Sequence, residues 1–419
     1  MNHTAYGIDF GTTNSAISFM DKNSAVIVPV GKNGRKMIRS ELFFPRDEGK
    51  IYIGDAAFDE YLASERNGRF IQSIKTVLPS RLFTSTRIGH TEYEAEDLIA
   101  LILEYLKDKA DRITGRNVTR VVLGRPVTFA GDEDNAQLAE QRLRTAAEYA
   151  GFEEITFQFE PIAAAMSYEE NLTSEKLVLV ADLGGGTSDF SLIRLGPGRK
   201  FKENRSTDVL ATSGVGIAGD ALDSAIMSSA FRDYFGARVK YENWPGQWLS
   251  LPASVFIDLC HKGRVVYLYS RGMQEQLRDI VNKADDPVPV SRLLRLVEHN
   301  LGHEVYETIE DGKKDLSVHD NTLIHFAREG LELRLALSQS RFNEMIHDSV
   351  THIEHCIDTL IRSAAVPVSD IDTVYMTGGT SLVPRLQLLL KAKFPFSALE
   401  ISMDSFLSVV GGLALCTRY

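Results

Sequence analysis

Gly7–Ser18 reads GIDFGTTNSAIS. A short apolar run with strand-like alternation carries one acid, Asp9. Gly11 breaks it, Thr12, Thr13 and Asn14 follow, and the alternation resumes. The stretch is a strand, a tight turn and a second strand. A turn needs neither an acid nor hydroxyls. Glycine lets backbone N–H groups approach an anion with no Cβ in the way, and threonine adds a hydroxyl donor. An aspartate repels phosphate and makes sense beside one only with a divalent cation between them. Magnesium keeps several waters and uses few protein carboxylates. The hairpin therefore reads as half of a phosphate-and-magnesium site.

The other half is Asp182-Leu-Gly-Gly-Gly-Thr, inside KLVLVADLGGGTSDFSLIRLG from Lys176. It repeats the order of Asp9-Phe-Gly-Thr-Thr: an acid at the end of an apolar strand, then glycine, then threonine. Two related lobes, each giving one hairpin, follow from that echo. A third glycine turn, TGGTSLVP from Thr377, brings Gly378 and Gly379 to the start of a helix, where anions are favoured. No GxxxxGK[ST] motif is present, and no GxGxxG follows the first strand, so neither a P-loop nor a dinucleotide fold is expected.

The rest of the 419 residues fits an α/β chain of two domains. Glu94 onward, EAEDLIALILEYLKDKADRI, is an amphipathic helix with acids in its first turn. VTRVVLGRPVTF is a strand, and NAQLAEQRLRTAAEYAG a helix capped by Gly151. In EEITFQFEPIAAAMSYEE a strand ends near Phe159, and Pro161 opens a helix. FAREGLELRLALSQS reads as helical. Trp244 and Trp248 in NWPGQW read as buried anchors of an irregular segment.

A net charge of −11 argues against a nucleic-acid binder. Cys260, Cys356 and Cys416 have no paired spacing, which suits a reducing compartment. Neither a secretory signal nor a bilayer-length apolar run is visible. The expected setting is cytoplasmic, with no membrane or nucleic-acid partner. His299 with His303, and His352 with His355 and Cys356, lack a converging second pair and read as helix faces rather than metal sites.

GIDFGTTNS, FEPIAAAMSY, DLGGGTSDFSL and TGGTSLVP, in that order, resemble the ATPase domain of the DnaK-type seventy-kilodalton heat-shock chaperones, from Tyr6 to about Leu415. GRPVTFAGDEDNAQ, with Pro126, is similar to that family's strand–proline–helix segment. Short YegD-type members, which share the GRPV and FEP-AAA-SYE patterns, are the nearer likeness. The resemblance implies an α/β, actin-like ATPase fold: two lobes, each with a ribonuclease-H-like unit, around a nucleotide cleft. It places lobe I at residues 1–174, with 405–419 returning to it and an inserted subdomain at about 38–114. Lobe II is 175–404, with an inserted subdomain at about 231–310.

The resemblance implies hydrolysis of ATP to ADP and phosphate with Mg2+. It gives Asp9 and Asp182 to magnesium through water, and Lys75, Glu160, Asp182 and Asp189 to catalysis. Nucleotide binding falls to Gly11, Thr12, Thr13, Asn14, Gly184, Gly185, Gly186, Thr187, Gly219, Arg334, Ser338, Gly378, Gly379 and Thr380. A protein client or co-chaperone is the implied partner. The sequence departs from the family at Leu382, where an arginine stacks on adenine, at Leu331, where a helix carries glutamate, and at Ala218, where glycine is usual. Base recognition is therefore expected to be weaker than phosphate recognition. FLSVVGGLALCTRY resembles the helix that closes the ATPase domain, so no peptide-binding domain is expected. A small-molecule kinase and an actin-like filament protein are the alternatives on the same fold.

Overall fold

The computed structural model describes residues 5–46, 49–129, 133–200, 205, 207–402 and 407–417. Residues 130–132 of the GRPVTFAGDEDNAQ segment, and residues 405–406 and 418–419 of the closing stretch, lie outside the described residues.

Two sheets organise the chain. The first contains β1 (Tyr6–Phe10), β2 (Asn14–Asp21), β3 (Ser24–Ile27), β4 (Arg120–Arg125) and β5 (Glu154–Phe159) in the order β5-β4-β1-β2-β3, and the short strand Ile38–Arg39 pairs with β2. The second contains β6 (Lys176–Leu183), β7 (Ser188–Leu195), β8 (Val209–Val215), β9 (Thr373–Thr377) and β10 (Ala398–Ile401) in the order β8-β7-β6-β9-β10. The pairing is also the same. β1 and β2, β2 and β3, β6 and β7, and β7 and β8 are antiparallel. β1 with β4, β4 with β5, β6 with β9 and β9 with β10 are parallel. Each sheet is thus a three-stranded meander with two parallel strands added on the far side of its first strand. Parallel neighbours need crossover connections; the helix Glu133–Tyr149 supplies the one between β4 and β5. The short echo between Asp9 and Asp182 is therefore the visible trace of a repeated topology.

β1 is buried along most of its length. Tyr6, Ile8 and Phe10 join a core with Leu98, Ile102 and Leu106 of the helix Ala95–Thr114 and with Ala139 and Leu143 of the next helix. The amphipathic pattern of EAEDLIALILEYLKD is used as the sequence expects. Glu94 and Asp97 form a capping box at its start, and Gly115 closes it at φ 67°. The helix Ser408–Cys416 packs against the helix Glu160–Glu169 and against β1. Gly412 is required there: a Cβ would lie 1.7 Å from the Ala163 carbonyl oxygen.

By contacts the chain divides into two compact units. One comprises Met1–Gly219, His352–Ser381 and Leu386–Tyr419; the other comprises Asp220–Thr351 and Leu382–Arg385. Both sheets belong to the first unit. The second is mostly helical, with two hairpins.

Two expectations are corrected in the second unit. FAREGLELRLALSQS is not helical: Asn321–Arg328 and Leu331–Ser338 form an antiparallel hairpin. Glu329 and Gly330 turn it with φ of 48° and 70°, a conformation that matches the twist of the flanking strands. Leu331, Leu333 and Leu337 are buried at a spacing of two, while Glu332, Arg334 and Ala336 are exposed. That period is the strand signal, and it overrides the helical reading. Trp244 and Trp248 are not buried anchors either. They lie on the hairpin Lys240–Trp244/Gln247–Ser250, with exposures of 69% and 48%.

Candidate functional site

The two glycine hairpins close in the same way. Gly11 N–H donates to the Asn14 carbonyl at 3.0 Å, and Gly184 N–H donates to the Thr187 carbonyl at 3.0 Å. A Cβ on Gly11 would lie 2.3 Å from the Asn14 oxygen, so the first turn excludes any side chain. The tips meet within the first unit: a Cβ on Gly186 would lie 2.6 Å from Thr12 Oγ1. The third glycine turn joins them. Thr380 Oγ1 donates to the Gly184 carbonyl at 2.7 Å, and Gly219 N–H donates to the same oxygen at 3.2 Å. Gly378 has φ 79°, and a Cβ there would lie 2.2 Å from the Leu183 oxygen. Gly11, Thr12, Thr13, Gly184, Gly185, Gly186 and Thr187 are partly exposed.

The same hairpins carry Asp9, Asp182 and Asp189, which form a cluster of charge with Lys75 and Glu160; all but the half-buried Asp9 are buried. Asp182 and Asp189 face each other across the β6–β7 pair. Lys75 Nζ donates to Glu160 Oε1 at 2.7 Å, with both side chains buried. Glu160 owes its place to the first turn of the helix Glu160–Glu169, with Pro161 directly behind it. Lys75 comes from the short turn Ile74–Val77, entered through Ser73 at φ 54°. Asp189 Oδ1 accepts from the backbone N–H of Val127 at 2.7 Å.

Four acids against one lysine leave an excess of negative charge. Burial, then Glu160, pushes Asp9 up to about 7, against the pull of Lys75. Burial and Glu160 push Asp189 up to about 7 as well, although hydrogen bonds from Thr187 and Val127 oppose the shift. Asp182 is raised by burial, then by Glu160, Asp189 and Asp9. Burial disfavours the Lys75 cation, but Glu160, Asp9 and Asp189 outweigh it and hold the group protonated. Such a set lacks positive charge and offers hard oxygen donors, which is what a magnesium ion with its waters complements. Among the described residues, no three or more His, Cys, Asp or Glu side chains are arranged to ligate a metal directly.

Ser40 and Val127 also shape this site and went unnoticed in the sequence. Ser40 Oγ donates to the Gly11 carbonyl at 2.8 Å, and its N–H to the Thr13 carbonyl at 2.9 Å, so it braces the first turn. It comes from a loop with no motif of its own. Val127 follows Pro126 in GRPVTF, and that proline was the available signal.

The model of the Hsp70 protein family matches residues 5–242 and 298–415. The chain belongs to the Hsp70 family. It is also similar to the chaperone protein DnaK of Mycoplasmopsis agalactiae (strain NCTC 10123 / CIP 59.7 / PG2). Identity is 28% over 389 residues, covering 92% of this chain and 54% of that one. The chain thus spans about half the length of the curated relative it matches. Residues 243–297, which include Trp244 and Trp248, fall between the two segments that match the Hsp70 model. No helix among the described residues is long and apolar enough to cross a membrane.

Not every residue carried over from the Hsp70 likeness lands where that likeness requires. Arg334 and Ser338 do not sit on a helix. Arg334 is exposed on the second strand of the 321–338 hairpin, and Ser338 caps the following helix by accepting from Arg341 N–H. Leu331 is buried on that strand, so it is no substitute for a helical glutamate. The helix Gly302–Asp315 carries Glu310, Lys313 and Lys314. Within the second unit these groups are paired: Lys262 with Glu310 at 2.7 Å and Lys313 with Asp223 at 2.7 Å. Ala218 is fully buried, and Leu382 is 43% exposed in the turn Gly379–Leu382.

Proposed function

We propose that this Hsp70-family chain is a chaperone-type ATPase that binds ATP with Mg2+ and hydrolyses it to ADP and phosphate as a conformational switch. The observation that carries the reading is the meeting of the two hairpin tips, Thr12 against Gly186, in hairpins whose acids Asp9, Asp182 and Asp189 interact with the Lys75–Glu160 pair. The repeated sheet topology supports the actin-like, two-lobed form of the fold.

The amides of Gly185, Gly186 and Thr187, with the hydroxyls of Thr12 and Thr13, would receive phosphate oxygens, while those of Gly11 and Gly184 close their own turns. Asp9 and Asp182 would hold magnesium through its waters. That ion, when bound, supplies the charge neutralisation that phosphoryl transfer needs most. Lys75 adds a second positive charge and is kept protonated by its acid neighbours. Glu160 fixes the direction of Lys75. Asp189, oriented by the Val127 amide, is suited to hold the attacking water and take up its proton. For the glutamate and lysine that the resemblance implies for the nucleoside, Glu310 and Lys313 on the helix Gly302–Asp315 are better candidates than residues of the hairpin.

Phosphate release with Mg2+ tests the reading. Lys75→Ala and Asp182→Asn are expected to lower it by about 10²-fold or more. Release unchanged in both variants removes the proposed site.

A further inference from the structure

We propose that the first unit carries a second ligand site, a surface cavity beside the edge strand β5 that binds a carboxylate. The cavity has a volume of about 370 Å³ and is lined by Arg125, Ala136, Gln137, Glu140, Gln141 and Arg144. That is within the range of small-ligand pockets. None of these residues belongs to the nucleotide machinery described above.

The two arginines are held in place before any ligand arrives. The Arg125 guanidinium carbon lies 5.3 Å from the ring centre of Phe129 and 5.2 Å from that of Phe159, and its Nε donates to the Pro126 carbonyl at 3.3 Å. The Arg144 carbon lies 5.0 Å from the ring centre of Phe157, and its NH1 donates to the Ile155 carbonyl at 3.0 Å. Stacking on an aromatic face removes much of the freedom a long side chain would otherwise lose on binding. Both arginines are only partly buried, so their planes remain reachable.

The charge count selects the ligand. The lining carries two guanidinium groups and one carboxylate, that of Glu140, which pairs with Arg125 from the cavity wall. The lining is therefore net positive in a chain whose net charge is −11. Glu140 and Arg144 lie one helical turn apart, on the same face of the helix Glu133–Tyr149. Glu140 shows that a carboxylate is accepted there, since the planar arginine fork matches carboxylate geometry. A second carboxylate would balance the lining. It belongs either to an aspartate or glutamate of an acidic peptide or to a small free acid.

The test uses the full chain with three probes: fluorescein-labelled hexaglutamate followed by anisotropy, and glutarate and inorganic phosphate followed by calorimetry. Arg144→Gln is expected to weaken carboxylate binding by about tenfold, and Glu140→Gln, which removes the competing charge, to tighten it by about fivefold. This pattern with hexaglutamate identifies a peptide ligand; with glutarate alone it identifies a free acid. Each supports the site. Thermal melts establish that the variants fold. Should Arg144→Gln unfold, the sign of the Glu140→Gln effect decides. Absence of carboxylate binding in both wild type and Glu140→Gln overturns the proposal, as do affinities that neither substitution moves. Phosphate binding without carboxylate binding overturns it too.

Discussion

Lys75 Nζ and Glu160 Oε1 are 2.7 Å apart, and their side chains are 8% and 10% exposed. This pair lies in the middle of an acidic cluster, so its loss is felt twice. Lys75→Met leaves Glu160 buried without its cation and removes the one lysine that offsets Asp9, Asp182 and Asp189. The expected cost is about 3 kcal/mol of folding stability in the absence of nucleotide and divalent ions. Urea denaturation measures it. Adding Glu160→Gln to Lys75→Met should recover a good part of that loss, and strictly additive effects would show the pair to be uncoupled.

The acids predict how stability responds to pH. Asp9 and Asp189 titrate near 7 in the folded protein, well above the value for an unfolded chain. Between those values the folded state holds more protons than the unfolded one, so stability falls as pH rises. The contribution is fully present below about pH 4, is lost progressively up to about pH 7, and is flat beyond. Melting temperatures in EDTA should therefore drop across that window, and Asp189→Asn should flatten the drop. Added MgCl2 should stabilise the protein more at the upper end than at the lower. A melting temperature that is level with pH in EDTA and unmoved by Asp189→Asn would contradict the assigned shifts.

Neighbouring glycines in the last helix give a purely steric prediction. Gly411 has room: a Cβ would lie 3.6 Å from Ser167 Oγ. Gly412 has none, because its Cβ would collide with the backbone of Ala163. Gly411→Ala should be neutral or stabilising by up to about 1 kcal/mol, the gain from replacing glycine inside a helix. Gly412→Ala should destabilise by about 3 kcal/mol or more, since backbone cannot step aside as a side chain can. The denaturation midpoint of Gly411→Ala should fall at or above that of the wild type, and that of Gly412→Ala well below it.

These contrasts show what was legible in the sequence. Asp9, Gly11 and Thr12 and their echo at Asp182 were readable because a turn that excludes Cβ and carries an acid leaves few alternatives. The helix Ala95–Thr114 was readable because its apolar period, its acidic start and its terminal glycine agree. Arg334 and Ser338 fall in a segment that reads as helical by likeness, while Gly330 and the alternating leucines mark a hairpin. Ser40 and the Val127 amide escaped notice because backbone hydrogen bonds across long sequence separations leave no residue pattern. Glu310 and Lys313, an i, i+3 pair on a helix, are set apart from other such pairs by no residue pattern.

The choice between helix and hairpin makes the last prediction a direct comparison. On the proposed assignment of Glu310 and Lys313 to the nucleoside, Lys313→Ala should weaken ATP binding by about tenfold and narrow any preference over GTP. Arg334→Ala should change neither, because Arg334 is exposed on the outer face of a strand. Lys313 also pairs with Asp223, so a stability control is needed. Lys313→Arg keeps the charge and should retain the Asp223 contact while recovering only part of the affinity. Calorimetric titration of the three variants with ATP and GTP, in the presence of MgCl2, separates these outcomes. A loss confined to Arg334→Ala would return the nucleoside to the hairpin and remove Glu310 and Lys313 from the site.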